Sequence, residues 1–238
     1  MSFQDFNRRD FLKTALAGIA LGTEILTAQE TVSGGIPVRP LGKTGEKVSI
    51  IGIGGWDISA VPDRREAVSI MHEAIDLGVN FFDNCWEYLH GEAESLMGDA
   101  LATENRRDKV FLMTKVCARD YEGAKKQLED SLRRLKTDHL DLWQFHGIKW
   151  DDDPDLIFDP ENGGIEAALE AREQGKVRYI GFSGHKHPKY HLMMLDKPFQ
   201  WDTIQMPLNV LDTHYNSFQK QVLPVAVEKG VSVLAMKG

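Results

Sequence analysis

Four side chains in this sequence could together move a proton: Asp83, Tyr88, Lys115 and His146. Each follows a short apolar run, directly or a few residues later, so each is expected where a buried strand ends in a loop. An aspartate keeps a nearby lysine charged, and an ammonium group lowers the pKa of a phenol from its usual value of about 10. Tyr88 would then be a general acid, and His146 would hydrogen-bond a substrate carbonyl oxygen as hydride arrives.

The elements that must position these residues follow from an alternation of short apolar segments with amphipathic ones. A hairpin is predicted within residues 36–49, around Gly42 and Gly45. One helix is expected to start at Asp63 and end before Gly78, and another over 215–228 is expected to bend or break at Pro224. In all, the pattern predicts six helices and seven strands, the strands at 48–53, 79–82, 110–114, 140–145, 177–182, 203–206 and 231–236.

This alternation predicts an α/β fold with a parallel sheet, closed as a barrel or open. One candidate functional position falls at each of six strand ends, which favours a barrel of the (β/α)8 TIM type over an open sheet with one switch point. These positions are Asp83, Lys115, His146, Ser183, Gln205 and Met236. Because such a barrel has eight strands, we expect an incomplete one that lacks the eighth strand and the last helices, in a fragment of a longer protein.

The hairpin, the spacing from Asp83 to Tyr88, and the segments 114–115, 141–146 and 181–183 together resemble the aldo-keto reductases. The resemblance extends over residues 36–238. It implies a (β/α)8 barrel that binds NADPH without a Rossmann domain and reduces an aldehyde or ketone to an alcohol, or the reverse. It also implies that Tyr88 is the proton donor, assisted by Asp83, Lys115 and His146.

The same resemblance implies where the cofactor would bind. Asp83 and the segment Gly54, Gly55 and Trp56 would contact it, and Ser183 and Gln205 would hold the nicotinamide carboxamide. Met236 stands where the family often has a tyrosine that stacks on the ring. NADP is the expected cofactor and NAD stays open, because the residues that would bind a 2′-phosphate lie near strand eight in the family. Trp56 and Trp86 either line the substrate pocket or cap the barrel mouth.

The net charge bears on binding partners, and the N-terminus bears on where in the cell the protein is found. A net charge of -8 and a pI near 5.5 argue against a nucleic-acid partner. The start of the chain carries Arg8-Arg9-Asp10-Phe11-Leu12-Lys13 and then an apolar stretch too short to span a membrane. This resembles a twin-arginine signal over residues 1–28 and predicts export to a bacterial periplasm, after folding in the cytoplasm, through the export machinery. An uncleaved tail or a membrane anchor is the alternative.

The remaining polar clusters predict no metal site. Cys85 and Cys117 each lie two residues after a candidate catalytic residue, so their thiols could meet and pair in an oxidising compartment, but we expect packing residues first. The histidines at 185, 187 and 191 have no matching carboxylate, and the acidic run 151–155 lacks the pattern of a calcium loop, which leaves a solvated loop.

Two other functions remain open at this point. One is a non-catalytic, reductase-like barrel that binds a nucleotide or a partner protein. The other is an inactive fragment. The substrate and the oligomeric state cannot be read from the sequence.

Overall fold

The structure, a computed structural model, describes residues 35–237. Its centre is a parallel sheet of seven strands that are neighbours in chain order, so every carboxyl end lies at the same edge. These strands are β3 (Gly52–Gly54), β4 (Phe81–Asp83), β5 (Phe111–Val116), β6 (Leu140–Phe145), β7 (Val177–Ser183), β8 (Thr203–Pro207) and β9 (Ser232–Met236). The sheet is curled into part of a TIM-type barrel, which confirms the predicted fold class.

Helices connect the strands and cover the outer face of the sheet. They are α1 (Gly55–Ile58), α2 (Arg64–Asp76), α3 (Glu92–Leu101), α4 (Tyr121–Leu135), α5 (Asp153–Ile157), α6 (Gly164–Glu173), α7 (Pro188–Leu195), α8 (Phe218–Gln221) and α9 (Leu223–Lys229). Asp63 begins α2 as predicted, because its carboxylate accepts a hydrogen bond from the Arg65 amide at 2.8 Å. Asp120 caps α4 in the same way.

The inner face of the sheet explains why catalytic candidates lie inside the barrel. Side chains alternate between the two faces of a strand, so Phe111, Met113 and Lys115 share one face of β5, and Phe81 and Asp83 share one face of β4. On that face Phe111 and Met113 form an apolar cluster with Leu142 of β6 and with Leu41 and Val48 of the hairpin. The apolar residues fill the amino-terminal end of the barrel, and the polar ones follow at the carboxyl end.

The predicted strand 48–53 is wrong, because the structure divides it. β2 (Lys47–Ser49) pairs with β1 (Val38–Pro40) in the hairpin, and β3 joins the main sheet. Ile50 and Ile51 lie between the two strands and are about half exposed, so this apolar run is not continuously buried.

The predicted helix 215–228 is also two shorter helices, α8 and α9. Ser217 caps α8 by accepting from the Lys220 amide at 3.0 Å. Pro224 lies in the first turn of α9, where its missing amide hydrogen costs no helical bond, so the predicted interruption at Pro224 is confirmed. Tyr215 precedes both helices and is exposed.

The two edge strands of the sheet, β3 and β9, are not paired with each other within residues 35–237. Both edges face one cleft, which we call the edge-strand cleft. In this described part of the chain no helix is long and apolar enough to cross a membrane. The predicted signal at residues 1–28 lies outside the described residues.

Candidate active site

The four candidate catalytic residues come together at the carboxyl edge of the sheet. Asp83 is the last residue of β4, Lys115 is the next-to-last residue of β5, and His146 directly follows β6. Tyr88 reaches them from the loop after β4: the Lys115 Nζ atom lies 5.3 Å from the centre of its ring, and the His146 ring lies 5.7 Å away. The predicted convergence is therefore present in the structure.

Lys115 is the buried centre of this group. Only 2% of its side chain is exposed, and its ammonium donates to Asp83 Oδ1 and, at 2.8 Å, to the backbone oxygen of Asn84. Burial by itself lowers the pKa of Lys115, but the negative charge of Asp83 and the nearby Tyr88 and Cys85 outweigh it and raise that pKa above its ordinary value. Lys115 is therefore a fixed positive charge at neutral pH.

The pKa of Tyr88 corrects one expectation from the sequence. Burial raises this pKa above its ordinary value, and the lowering by Lys115 is smaller than the effect of burial. The phenol is therefore held in its protonated form. The loop after it is strained, because Leu89 and His90 both have left-handed backbone conformations, with φ of 48° and 56°.

His146 is a neutral imidazole. Burial first, and then the positive charges of Lys115 and Arg119, lower its pKa to about 3. Its Nδ1 atom lies 2.7 Å from the Glu87 carboxylate and 3.3 Å from the Cys85 sulfur. No described residue hydrogen-bonds its Nε2 atom, so that nitrogen is the one left for a ligand.

Gln205 is joined to the catalytic group through Asp83. Its Nε2 atom donates to Asp83 Oδ2 at 2.7 Å, so the two carboxylate oxygens of Asp83 serve Lys115 and Gln205 separately. The Oε1 atom of Gln205 is buried and has no partner among residues 35–237. Ser183 ends the neighbouring strand, where its hydroxyl oxygen accepts from the Gly147 amide at 3.3 Å and keeps its own hydrogen free to donate.

Two clefts flank the catalytic group. The edge-strand cleft, of about 540 Å³, is bordered by Gly54, Asp83, Gln205 and Met236, all predicted cofactor contacts. A second cleft of about 480 Å³, which we call the His146 cleft, is bordered by Glu87, Cys117, His146, Trp150 and His185 among others. Asp83 faces one side and His146 the other.

The two tryptophans differ in position. Trp56 is 56% exposed and its ring contacts Tyr88 edge-on at 5.4 Å, which puts it at the mouth of the site. Trp86 instead turns to the outer helix α4: its Nε1 atom donates to Asp130 at 3.4 Å, and the Arg134 guanidinium lies 5.4 Å from its ring. The structure thus favours Trp56 over Trp86 as a substrate contact.

Gly55 is buried, and a Cβ there would meet the Asn84 amide at 2.4 Å.

The histidines at 185, 187 and 191 do not form a cluster. His187 caps α7 by accepting from the Lys189 amide, and His191 is buried against the backbone oxygen of Gln205 at 3.1 Å. The acidic run is not simply a solvated loop either. Asp153 is buried and accepts from Arg119 at 2.9 Å and from the amides of residues 149 and 150.

A model of the aldo/keto reductase family matches residues 50–237. The chain belongs to the aldo/keto reductase family. L-galactose dehydrogenase of Arabidopsis thaliana is 30% identical over 219 residues, which cover 84% of this chain and 64% of that protein. Aldo-keto reductase YhdN of Bacillus subtilis is 29% identical over 206 residues, covering 80% of this chain and 58% of that protein. The resemblance seen in the sequence motifs is confirmed.

A solved structure agrees with these relatives. The holo form of an aldo-keto reductase from Bacillus halodurans matches with a TM-score of 0.70 at 32% identity, over 84% of this chain and 65% of that chain. The chain therefore spans less than two thirds of the length of each of these three family members.

Sequence reasoning missed the residues that support this aldo/keto reductase site. Asn84 is fully buried and accepts from the Cys85 amide at 2.9 Å. Arg119 donates to the backbone oxygens of Cys117 and His146, at 3.2 and 2.7 Å. Both follow a candidate residue within a few positions, but Asn84 also donates to the Ala93 oxygen in α3 at 3.0 Å and Arg119 binds the next strand end at His146, and no local pattern signals these distant partners.

Proposed function

We propose that this chain forms the proton-transfer part of a carbonyl reductase site that uses NADP, with Tyr88 as the acid. Family membership supports oxidoreductase chemistry, and the arrangement of Asp83, Lys115, Tyr88 and His146 supports the roles. The observation that carries the proposal is the buried Lys115 ammonium, tied to Asp83 and 5.3 Å from the Tyr88 ring. A buried, paired cation beside a phenol has a direct use in stabilising a phenolate.

The acid step follows from the burial of Tyr88. Burial keeps the phenol protonated before reaction, so it can give its proton to the oxygen of a reacting carbonyl. Once the proton has left, the Lys115 ammonium stabilises the phenolate by charge, and Asp83 keeps that ammonium in place. In the reverse direction the same phenolate accepts a proton from an alcohol.

His146 orients the carbonyl in this proposal. Its neutral ring offers Nε2, the nitrogen without a partner among the described residues, to the carbonyl oxygen. To donate there the ring must carry its hydrogen on Nε2, so Nδ1 accepts from the Cys85 thiol at 3.3 Å. The half-exposed Glu87 carboxylate, at 2.7 Å from Nδ1, is itself an acceptor and must then turn away from this atom.

The edge-strand cleft fits a nicotinamide carboxamide. Gln205 presents a buried oxygen without a described partner, which can accept from the carboxamide NH2 group. Ser183 pairs with Gln205 in the sheet but does not border this cleft, and its hydroxyl hydrogen could donate to a carboxamide oxygen that extends beyond Gln205. Gly54, Gly55, Trp56 and Met236 would contact the rest of the ring. When bound, the reduced nicotinamide supplies hydride to the carbonyl carbon.

Replacement of Tyr88 by phenylalanine tests the proposal. NADPH oxidation with a panel of aldehydes and ketones is expected to fall by about 10²–10⁴-fold, the usual contribution of a general acid, with NADPH binding retained. Tyr215→Phe, a change at an exposed tyrosine, is the matched control and is expected to leave the rate unchanged. Unaltered carbonyl reduction in Tyr88→Phe would contradict the role of Tyr88.

A binding function without turnover is the second candidate. Met236 replaces the aromatic residue expected against the nicotinamide, and the edge strands β3 and β9 are not paired with each other within the described residues. In that case NADPH fluorescence would change on adding the chain, while no carbonyl compound in the panel would cause NADPH oxidation.

Export through a twin-arginine signal is part of the proposal and is supported by the sequence of residues 1–28 alone. A reporter fused behind these residues is expected in the periplasm of a bacterial host. Changing both Arg8→Lys and Arg9→Lys is expected to keep it in the cytoplasm. Equal export of both fusions would contradict a signal of this type.

A further inference from the structure

Beside the catalytic group, four potential metal ligands converge from three neighbouring strand ends. They are the sulfurs of Cys85 and Cys117, the Glu87 carboxylate and His146 Nδ1, and all of these atoms lie within 4.8 Å of one another. Cys85 and Glu87 follow β4, Cys117 follows β5 and His146 follows β6, so the parallel order of the strands brings them together. The two sulfurs are 3.9 Å apart and form no disulfide.

Hydrogen bonding does not account for this cluster. Three groups point at one atom, His146 Nδ1: the Glu87 carboxylate at 2.7 Å, Cys85 Sγ at 3.3 Å and Cys117 Sγ at 3.8 Å. An imidazole nitrogen makes one hydrogen bond, as a donor or as an acceptor. The convergence is what ligands show when they surround a common centre.

We infer that Cys85, Glu87, Cys117 and His146 form a binding site for Zn²⁺. A tetrahedral zinc ion has Zn–S bonds of about 2.3 Å and Zn–N bonds of about 2.0 Å, which sets the distance between two sulfur ligands at roughly 3.8 Å and that between sulfur and nitrogen at roughly 3.5 Å. The three distances among the sulfurs and Nδ1 are 3.3, 3.8 and 3.9 Å. The Glu87 carboxylate is 2.7 Å from Nδ1, closer than the roughly 3.3 Å between N and O ligands of one zinc ion, and its half-exposed side chain allows it to move outward to the fourth position.

The backbone of the site is already fixed. The Cys85 amide donates to the buried Asn84 side chain at 2.9 Å, and the Cys117 amide donates to the Gln127 side chain at 2.7 Å. Arg119 binds the backbone oxygens of Cys117 and His146. Such outer contacts hold ligands in position before a metal arrives.

The ligands carry one negative charge more than the zinc ion neutralises. Binding releases the two thiol protons to solvent, so two thiolates and one carboxylate bring three negative charges to a doubly charged ion. The net single negative charge would lie near the Lys115 ammonium, whose positive charge acts on both Cys85 and His146, and near the Arg119 guanidinium, whose charge acts on His146. All four positions would be filled by protein, which is the pattern of a structural site and not of one that activates water.

Zinc at this site would also set the tautomer of His146. With Nδ1 bound to the metal, the ring hydrogen must be on Nε2, and the ring can then donate outward. The inference rests on the four ligands and stands whether or not the chain reduces carbonyl compounds.

The test begins with the unaltered chain, stripped with a chelator and kept reduced. After equilibration with Zn²⁺ and desalting, elemental analysis is expected to find one zinc per chain. Equilibration with Co²⁺ is expected to give a sulfur-to-cobalt charge-transfer band and the visible bands of a tetrahedral ion. A chain that retains no metal, or that binds cobalt without a charge-transfer band, would overturn the inference, and neither result depends on the folding of a variant.

Variants then locate the ligands by competition with a coloured chelator. Cys85→Ser with Cys117→Ser should abolish retention, and Glu87→Gln, at a half-exposed position, should weaken binding by at least about tenfold. Gln127→Leu should weaken it by about 10–100-fold, because the Cys117 amide loses its partner. His185→Asn, a change at another imidazole of the same cleft, is the control and should not alter binding. Unchanged zinc affinity in the double cysteine variant, or a chain that binds no zinc while reduced and forms a Cys85–Cys117 disulfide when air oxidises it, would refute the site.

Discussion

Replacing Asp83 with asparagine should destabilise the fold by leaving Lys115 charged and buried without a counter-charge. The Lys115 side chain is 2% exposed, and its ammonium would keep the backbone oxygen of Asn84, at 2.8 Å, and only a neutral amide oxygen in place of the carboxylate. Removing one partner of a buried ion pair costs about 3–5 kcal/mol. Because Asp83 itself is 19% exposed and solvent screens the pair in part, we expect the lower end, about 3 kcal/mol.

A double-mutant cycle with Lys115→Met separates the cost of the unpaired charge from the other effects of each substitution. Lys115→Met keeps the side-chain volume and leaves Asp83 with solvent and its hydrogen bond from Gln205 at 2.7 Å, so we expect a loss of about 1 kcal/mol. The double variant has no unpaired buried charge and should lose about 1–2 kcal/mol. The two single losses would then exceed the double loss by about 2 kcal/mol.

Urea unfolding followed by tryptophan fluorescence measures these free energies. Since the folded pKa of Lys115 is raised, its contribution is fully present below the unfolded pKa and is lost only as pH rises through the folded one. In the variant the unpaired ammonium can release its proton instead, so the cost of Asp83→Asn should be largest near about pH 6–7 and should shrink as the pH rises towards about 9. Additive losses, or a cost below about 1 kcal/mol for Asp83→Asn, would refute the picture of a buried pair.

Three further predictions follow from single contacts. Gln205→Leu should weaken NADPH binding by about tenfold in a fluorescence titration, because one hydrogen bond to the carboxamide is lost, and unchanged affinity would argue against that contact. Burial lowers the pKa of His191 from 6.5 to about 4. The free energy of unfolding should therefore fall as the pH drops through this range, by at most about 1.4 kcal/mol per pH unit. In urea unfolding, His191→Gln should flatten that dependence on pH. Gly98→Ala should destabilise the fold by about 1–3 kcal/mol in the same assay, because the new Cβ would lie 2.2 Å from the backbone oxygen of Arg134. Alanine favours helix more than glycine does, so a gain in stability would show that α3 can move away from Arg134.

Some of the site followed from the sequence because parallel strands impose order. Every repeat of strand and helix returns a carboxyl end to the same edge, so Asp83, Lys115 and His146 had to be neighbours once the strands were recognised. The boundary errors have a local cause. Ile50 and Ile51 continue an apolar run, yet the chain leaves the hairpin there and both side chains are about half exposed.

The loops decided what the strands could not. The path after Tyr88 passes through two left-handed residues, Leu89 and His90, which no sequence pattern predicts for these residue types. Trp86 belongs to the same loop, and its contacts with α4 turn it away from the mouth of the site. A one-dimensional pattern places a residue along the chain but not the direction of its side chain in a loop.

By itself, the sequence determined the order of the strands and which four candidate residues lie near neighbouring strand ends, because alternation within a strand and the repeat of strand and helix are both properties of neighbours along the chain. Only the tertiary structure decided how those residues are charged and what surrounds them. The pKa of Tyr88, the hydrogen bond from Gln205 to Asp83, and the meeting of two thiols, a carboxylate and His146 all depend on burial and on distances between residues far apart in sequence.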